Sequence, residues 1–325
     1  MTSNPTSQST ESLTQPAQTR AAGQKLKLTL IVECELHPWA GAGVDSLIAE
    51  LGSFVPPSQS ELSLIYAIPD MLTGLHHLHD TQNLEDCLRE RQKNHEEATA
   101  KLRREVAVAG FEVTSEQAFP ISSDSQQSIL DYLKDSKQEL LVLCGNHAAG
   151  SHLGRDHFLM NLTSHASIPT LLLKRKLSHT AGAMQALFGI DASEASLTAA
   201  RKLGEIVSAD RIALTLATVQ SPAFQENAVL APYVNQDILS EALEANAGIL
   251  FEMFTDLLKP QGFTIADFKV LIGSPASELG YLAEASHPDL IVVGSHNQKG
   301  FLAWIMGSVS SQLVHWDTHN ILVIR

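Results

Sequence analysis

The chain has 325 residues, 44% hydrophobic and 18% charged, the profile of a globular protein long enough for two domains of ordinary size. Its formal net charge of −14 argues against general binding to nucleic acid or to an anionic membrane, both of which need basic surface. No apolar stretch approaches the roughly 20 residues of a membrane-spanning helix, and Cys34, Cys87 and Cys144 are widely spaced with no CxxC, which predicts a reduced, cytoplasmic protein.

Residues 1–25 are rich in Ser, Thr, Gln and Pro with little apolar content, so they are expected to form a disordered tail, and they carry no secretory hydrophobic region. Leu26 to Val32 reads as a first strand. Helical spacing (Val44, Leu47, Ile48, Leu51) then runs from Gly41 to Phe54 and stops before Pro56-Pro57. Leu62 to Ile68 is a second strand, followed by a loop or irregular helix with His76, His77 and His79. A long charged helix is expected over 84–109, closed by Gly110. Phe111 to Ala118 is a third strand, Ser128 to Leu133 part of a helix, Glu139 to Cys144 a fourth strand, 145–168 a connector, and Pro169 to Lys174 a fifth strand. Cys34 and Cys144 fall in apolar runs and read as small buried hydrophobes.

The second half repeats this order. Strands are expected at Ala186–Ile190, Arg211–Val219 and Thr264–Ile272, and helices at Ser193–Val207, Asn235–Leu258 and Ala276–Ala285. The run Leu290-Ile291-Val292-Val293 is short and β-branched, as in a strand buried on both faces. A connector over 295–306, a helix opened by Gly307-Ser308 (Val309, Leu313, Trp316) and a last strand Ile321–Ile324 complete the chain. LVLCGNHA at 141–148 corresponds to LIVVGSHN at 290–297, and PTLLLK at 169–174 to NILVIR at 320–325. Two α/β units follow, 26–177 and 183–325. Each is a Rossmann-like, five-stranded parallel sheet with helices on both faces. In such sheets ligands bind beyond the carboxyl ends of the strands where the strand order reverses, here the first and fourth strands of a unit.

The loop after Val293 carries the chemistry. Gly294 sits at a strand end, and Gly307 stands before a helix whose first N–H groups can meet an anion, with Ser308 and Ser310 adding hydroxyls. Each glycine alone is also an ordinary turn or cap residue. As a set they resemble the carboxy-terminal signature of the universal stress protein family, G-x-x-G, nine residues, then G-[S/T]. Gly294, Gly307 and Ser308 match it, and Asn297 replaces the second glycine. Asn tolerates φ > 0 best among non-glycine residues, although its side chain crowds a triphosphate. Ile190-Asp191-Ala192-Ser193 resembles the family's V-D-x-S opening, in which the acidic residue contacts the nucleoside. On spacing alone Asp191 reads first as a helix cap. Gly273-Ser274-Pro275-Ala276 is similar to the family's G-x-P turn, and Val219 falls where the family lines its adenine pocket.

The resemblance implies a tandem universal stress protein whose second unit binds ATP or another adenine nucleotide, with or without Mg2+, on Asp191, Val219, Val293, Gly294, Asn297, Gly307, Ser308, Val309 and Ser310. The first unit departs further. Glu33 or Glu35 stands near the aspartate position, Ala148 follows Gly145-Asn146-His147, and Asp156-His157 falls where Gly307-Ser308 lies. A carboxylate and an imidazole there obstruct a polyphosphate, so this unit is expected to serve as an intramolecular pseudo-dimer partner. A homodimer and an unidentified protein partner are further expectations. His76, His77, His79 and Asp80 could ligate a metal, but no partner pair with ligand spacing follows, and loop histidines are usually solvated. His147 and His296 read as loop-shaping hydrogen bonders. No Ser-His-Asp set, paired carboxylates or P-loop occurs, and Lys299 is the one cation near the phosphate loop, too little for a fast ATPase. The competing reading is an interaction scaffold that binds no nucleotide, both sites being vestigial; a slow ATP hydrolase ranks below it.

Overall fold

The computed structural model describes residues 24–33, 44–68, 81–121, 123–144, 155–177, 182–220, 236–295, 307–315 and 319–325. The first unit runs β1 (Leu26–Glu33), α1 (Val44–Phe54), β2 (Ser60–Ile68), α2 (Thr81–Val108), β3 (Val113–Pro120), α3 (Ser123–Asp135), β4 (Leu140–Cys144), α4 (Arg155–His165) and β5 (Thr170–Leu173). The second runs β6 (Met184–Gly189), α5 (Glu194–Ile206), β7 (Ile212–Gln220), α6 (Gln236–Leu258), β8 (Thr264–Ile272), α7 (Pro275–Ser286), β9 (Leu290–Gly294), α8 (Ser308–Val314) and β10 (Ile321–Ile324).

The ten strands of the described residues form a single sheet in the order β3-β2-β1-β4-β5-β10-β9-β6-β7-β8. Within each unit the pairings are parallel, and the order reverses between β1 and β4 and between β6 and β9, the first and fourth strands of their units. The units join where β5 and β10 pair antiparallel, Leu171 opposite Leu322. Two five-stranded sheets are therefore one continuous surface. The short runs TLLL and ILVI are buried throughout, so neither can serve as a solvated edge, and pairing them satisfies both.

Side-chain alternation along the strands feeds both faces. On one face a core continuous across both units gathers Leu51 and Phe54 of α1, Val106 of α2, Leu203 of α5 and Phe254 of α6. On the other face each unit keeps its own core, around Ile129, Phe158 and Leu162 of α3 and α4 in the first, and around Leu279, Ala283 and Leu313 of α7 and α8 in the second. Cys144 is a buried hydrophobe, and burial pushes its thiol up to about 12. Among the described residues no helix is long and apolar enough to cross a membrane.

Helix α4 forms within 145–168, where the sequence predicts only a connector. Phe158, Leu162 and Ala166, spaced at i, i+4 and i+8, are all buried and are the stripe that marks it. Asp156-His157 lie in its first turn. The tail to residue 23, Cys34, Glu35, His76, His77, His79, Asp80, Gly145 to Ala148, His296, Asn297, Lys299 and Trp316 lie outside the described residues.

Two basic side chains cross the join reciprocally. Lys174, just after β5, is buried and donates from Nζ to the carbonyl of Val314, the last residue of α8, at 2.5 Å. Arg325, just after β10, is buried and donates from Nη2 to the carbonyl of Thr163 in the last turn of α4. The two donors are 151 positions apart (325 − 174), and so are the two acceptors (314 − 163). Between them Asn320 accepts from the backbone N–H of Lys174 (2.9 Å) and of Arg175 (3.1 Å) and donates to the carbonyl of Asp289 (3.0 Å). Burial of Arg325 lowers its guanidinium to about 10.

Candidate functional site

Reversal of strand order at β6 and β9 sends the chain to opposite faces of the sheet and leaves a crevice beyond their carboxyl ends. A cleft of about 230 Å³ occupies it, walled by the ends of β6, β7 and β9 and by the starts of α5, α7 and α8. Ile190, Ala217, Val219, Leu279 and Val293 give it an apolar floor, and Asp191, Ser193, Ser196, Ser308 and Ser310 a polar rim. Among the described lining residues Asp191 is the one formal charge.

Of the nine residues singled out from the sequence, eight line this cleft together: Asp191, Val219, Val293, Gly294, Gly307, Ser308, Val309 and Ser310. Asn297 lies outside the described residues. Ile190, Ser193 and Pro275, part of the two motif segments though not named as site residues, and Gly189, Ser196, Ala217 and Leu279, which sequence reasoning did not reach, complete the walls. Ser193 and Ser196 were legible as hydroxyls three apart at a helix start. Leu279 was not, because it arrives from a helix far along the chain.

The rim is held locally. Ser193, not Asp191, caps α5: its Oγ accepts from the N–H of Ser196 at 3.2 Å. Asp191 stands two residues earlier, exposed, and its Oδ1 accepts from the N–H of Ser193 (3.0 Å) and from its hydroxyl. The N–H of Asp191 donates to Ser196 Oγ at 3.1 Å. The carboxylate is thus braced from one oxygen.

At α8 the cap is Gly307, with φ −61 and ψ 156, extended backbone open to any residue, and it makes no side-chain cap hydrogen bond to the first turn. Ser310 Oγ donates to the carbonyl of Gly307 at 3.0 Å, so this hydroxyl shapes the turn, and Ser308 is the exposed one. Gly294 is fixed by packing: a Cβ there would stand 2.6 Å from the carbonyl oxygen of Ala195 and 2.9 Å from the nitrogen of Ser196. The bare backbone of β9 lets the first turn of α5 sit against it. Gly273, with φ 149, makes the turn from β8 into α7, its N–H bonded to the carbonyl of Gln220 at 3.0 Å.

Compared with known proteins, residues 184–325 match the model of the universal stress protein family. That segment spans β6 to β10 and every described wall of the cleft. No curated relative matches the chain by sequence. Across nearly the whole length the fold is similar to that of a universal stress protein from Archaeoglobus fulgidus DSM 4304, at 14% identity and a TM-score of 0.58, covering 91% of this chain and 98% of that one. It is also similar to a protein of unknown function from Pseudomonas aeruginosa PAO1, at 16% identity and a TM-score of 0.54, covering 91% and 92%. At these identities the likeness is one of fold, and it extends over both units.

Proposed function

We propose that the second unit, a universal stress protein domain, binds an adenine nucleotide in the cleft between β6 and β9. The observation that carries this reading is the convergence of eight sequence-selected residues on one crevice with an apolar floor and a polar rim, the make-up of small-molecule sites. At about 230 Å³ the cleft lies below the ~300 Å³ at which ligand pockets usually begin. It therefore takes one ring system and leaves a charged tail toward the rim. The base packs on Val219, Val293 and Leu279, Asp191 accepts from ribose hydroxyls, and the phosphates lie toward the backbone N–H groups of Gly307 and Ser308, at a helix start with no side-chain cap hydrogen bond.

Any Mg2+ enters with the phosphates, since no cluster of three His, Cys, Asp or Glu side chains suited to a metal exists among the described residues. The protein is read as cytoplasmic, its first unit as a partner that holds the second and takes no polyphosphate itself. One observation favours the scaffold reading: the described lining offers a carboxylate and no cation to a triphosphate.

Calorimetric titration of nucleotide-stripped protein with Mg-ATP, ADP and AMP decides between them. One site per chain is expected. Absence of heat from a folded protein leaves the scaffold reading standing, and two sites would show that the first unit also binds.

A further inference from the structure

We propose that Lys174 of the first unit is a positioning residue for the cleft of the second, so that the site is built by both halves of the chain. The proposal rests on the nucleotide reading above only for the ligand; its structural half stands on the join itself.

Helix α8 has seven residues, two turns, and a helix well short of ~12–15 residues does not hold its shape on propensity alone. Its order comes from what it is fastened to. Its own Leu313 and Val314 are buried in the core, and its last carbonyl, Val314 O, receives the buried Lys174 ammonium at 2.5 Å. That carbonyl is among those a helix leaves without an intrahelical partner, and a cation there also meets the negative end of the helix dipole. Lys174 is itself fixed, its N–H bonded to Asn320 Oδ1 at 2.9 Å. The other end of the same two turns, Gly307 to Ser310, lines the cleft. A single rigid path therefore leads from the first unit through Lys174 and α8 to the rim. Releasing the ammonium frees the C-terminal end of α8 and, over two turns, displaces the N–H groups at the start.

Arg325 supplies the control. It does for α4 what Lys174 does for α8, across the same join and from the equivalent position. Its guanidinium reaches a helix C-terminal carbonyl from the position equivalent to that of the Lys174 ammonium. Damage to the join in general will follow from either substitution, whereas loosening of α8 is specific to Lys174.

The test uses the full chain, read by amide hydrogen exchange over Ser308 to Val314 and by Mg-ATP calorimetry. Loss of one charge-assisted hydrogen bond predicts about tenfold faster exchange in α8 and about tenfold weaker Mg-ATP binding for Lys174→Met. Lys174→Arg should restore both, and Arg325→Met should leave α8 exchange at the wild-type rate. Unchanged α8 exchange in Lys174→Met overturns the proposal, as does equal loosening by Arg325→Met or loosened exchange with unaltered affinity. If the wild type takes up no Mg-ATP the nucleotide reading falls, and the exchange pattern alone then decides the role of Lys174.

Discussion

Asp289 and Gln185 are joined by two hydrogen bonds: Asp289 Oδ2 accepts from the N–H of Gln185 at 2.9 Å, and the N–H of Asp289 donates to the carbonyl of Gln185 at 2.7 Å. The pair ties the start of β9 to the start of β6, at the end of the switch point remote from the cleft. Glu139 and Lys27 repeat it in the first unit, with the same pair of bonds at 2.9 and 2.8 Å between the starts of β4 and β1. Asp289 is fully buried, whereas Glu139 is half-buried. Asp289→Ala removes a charge-assisted bond from the interior and should cost about 1.5–3 kcal/mol, more than Glu139→Ala. Urea unfolding midpoints measure both, and equal midpoints for Asp289→Ala and the wild type would refute the clamp.

Gly294→Ala should destabilise through the helix rather than through the loop. The added methyl meets the Ala195 carbonyl at 2.6 Å, a backbone group that cannot swing aside, so β9 and α5 must separate. Overpacking of this kind costs about 1–3 kcal/mol. A melting temperature unchanged from the wild type would remove the packing argument.

Gly307→Asp separates stability from binding. Aspartate is a favoured helix cap, and φ at 307 is ordinary, so the fold should be kept or slightly strengthened. A carboxylate at the rim repels phosphate, and Mg-ATP affinity should fall about tenfold or more, 1.4 kcal/mol per decade. A stable variant that binds like the wild type would show that the phosphates lie elsewhere.

Acid should destabilise the packing of the second unit. His319, buried at the start of β10, bonds the carbonyl of Ala283 through Nε2 at 3.2 Å. Its pKa is lowered from 6.5, first by burial and then by the charge of Arg175, with His287 adding to the effect and Glu284 opposing it. Because the folded form resists protonation, the unfolded chain binds the extra proton first. Stability from this group is full above 6.5 and is lost as pH falls below it, toward the lower folded value. Melting temperature measured from pH 7.5 down to about 5.5 should fall less steeply in His319→Gln. Parallel slopes for the two proteins would assign the acid sensitivity to other groups.

The runs that became strands were legible because burial on both faces writes itself as unbroken β-branched and leucine sequence, as in LLVLC and LIVVG. The switch point followed from alternation of strand and helix. The partnership of β5 with β10 was one of two options, pairing with each other or with another chain, since TLLL and ILVI are interchangeable as buried runs and nothing local names a neighbour. The ends of the cleft were read from residue types that chemistry prefers there, Asp191 and Gly307-Ser308. The physical reason for Gly294 was hidden, because the colliding group, Ala195, lies 99 positions away in sequence (294 − 195). Asp289 was hidden in the same way: a carboxylate before a strand looks like a turn residue until Gln185 is placed beside it.

Because β5 and β10 each have a neighbour on both sides, β4 and β9 being the others, the join has no strand edge left for a second molecule. Its halves are tethered by their own chain, so their encounter is governed by an effective local concentration rather than by the amount of protein in solution. Dilution cannot part them. A cell holding few copies of this chain has as complete a pair of units in each copy as one holding many, and an assembly of two chains, where it forms, must use a different face.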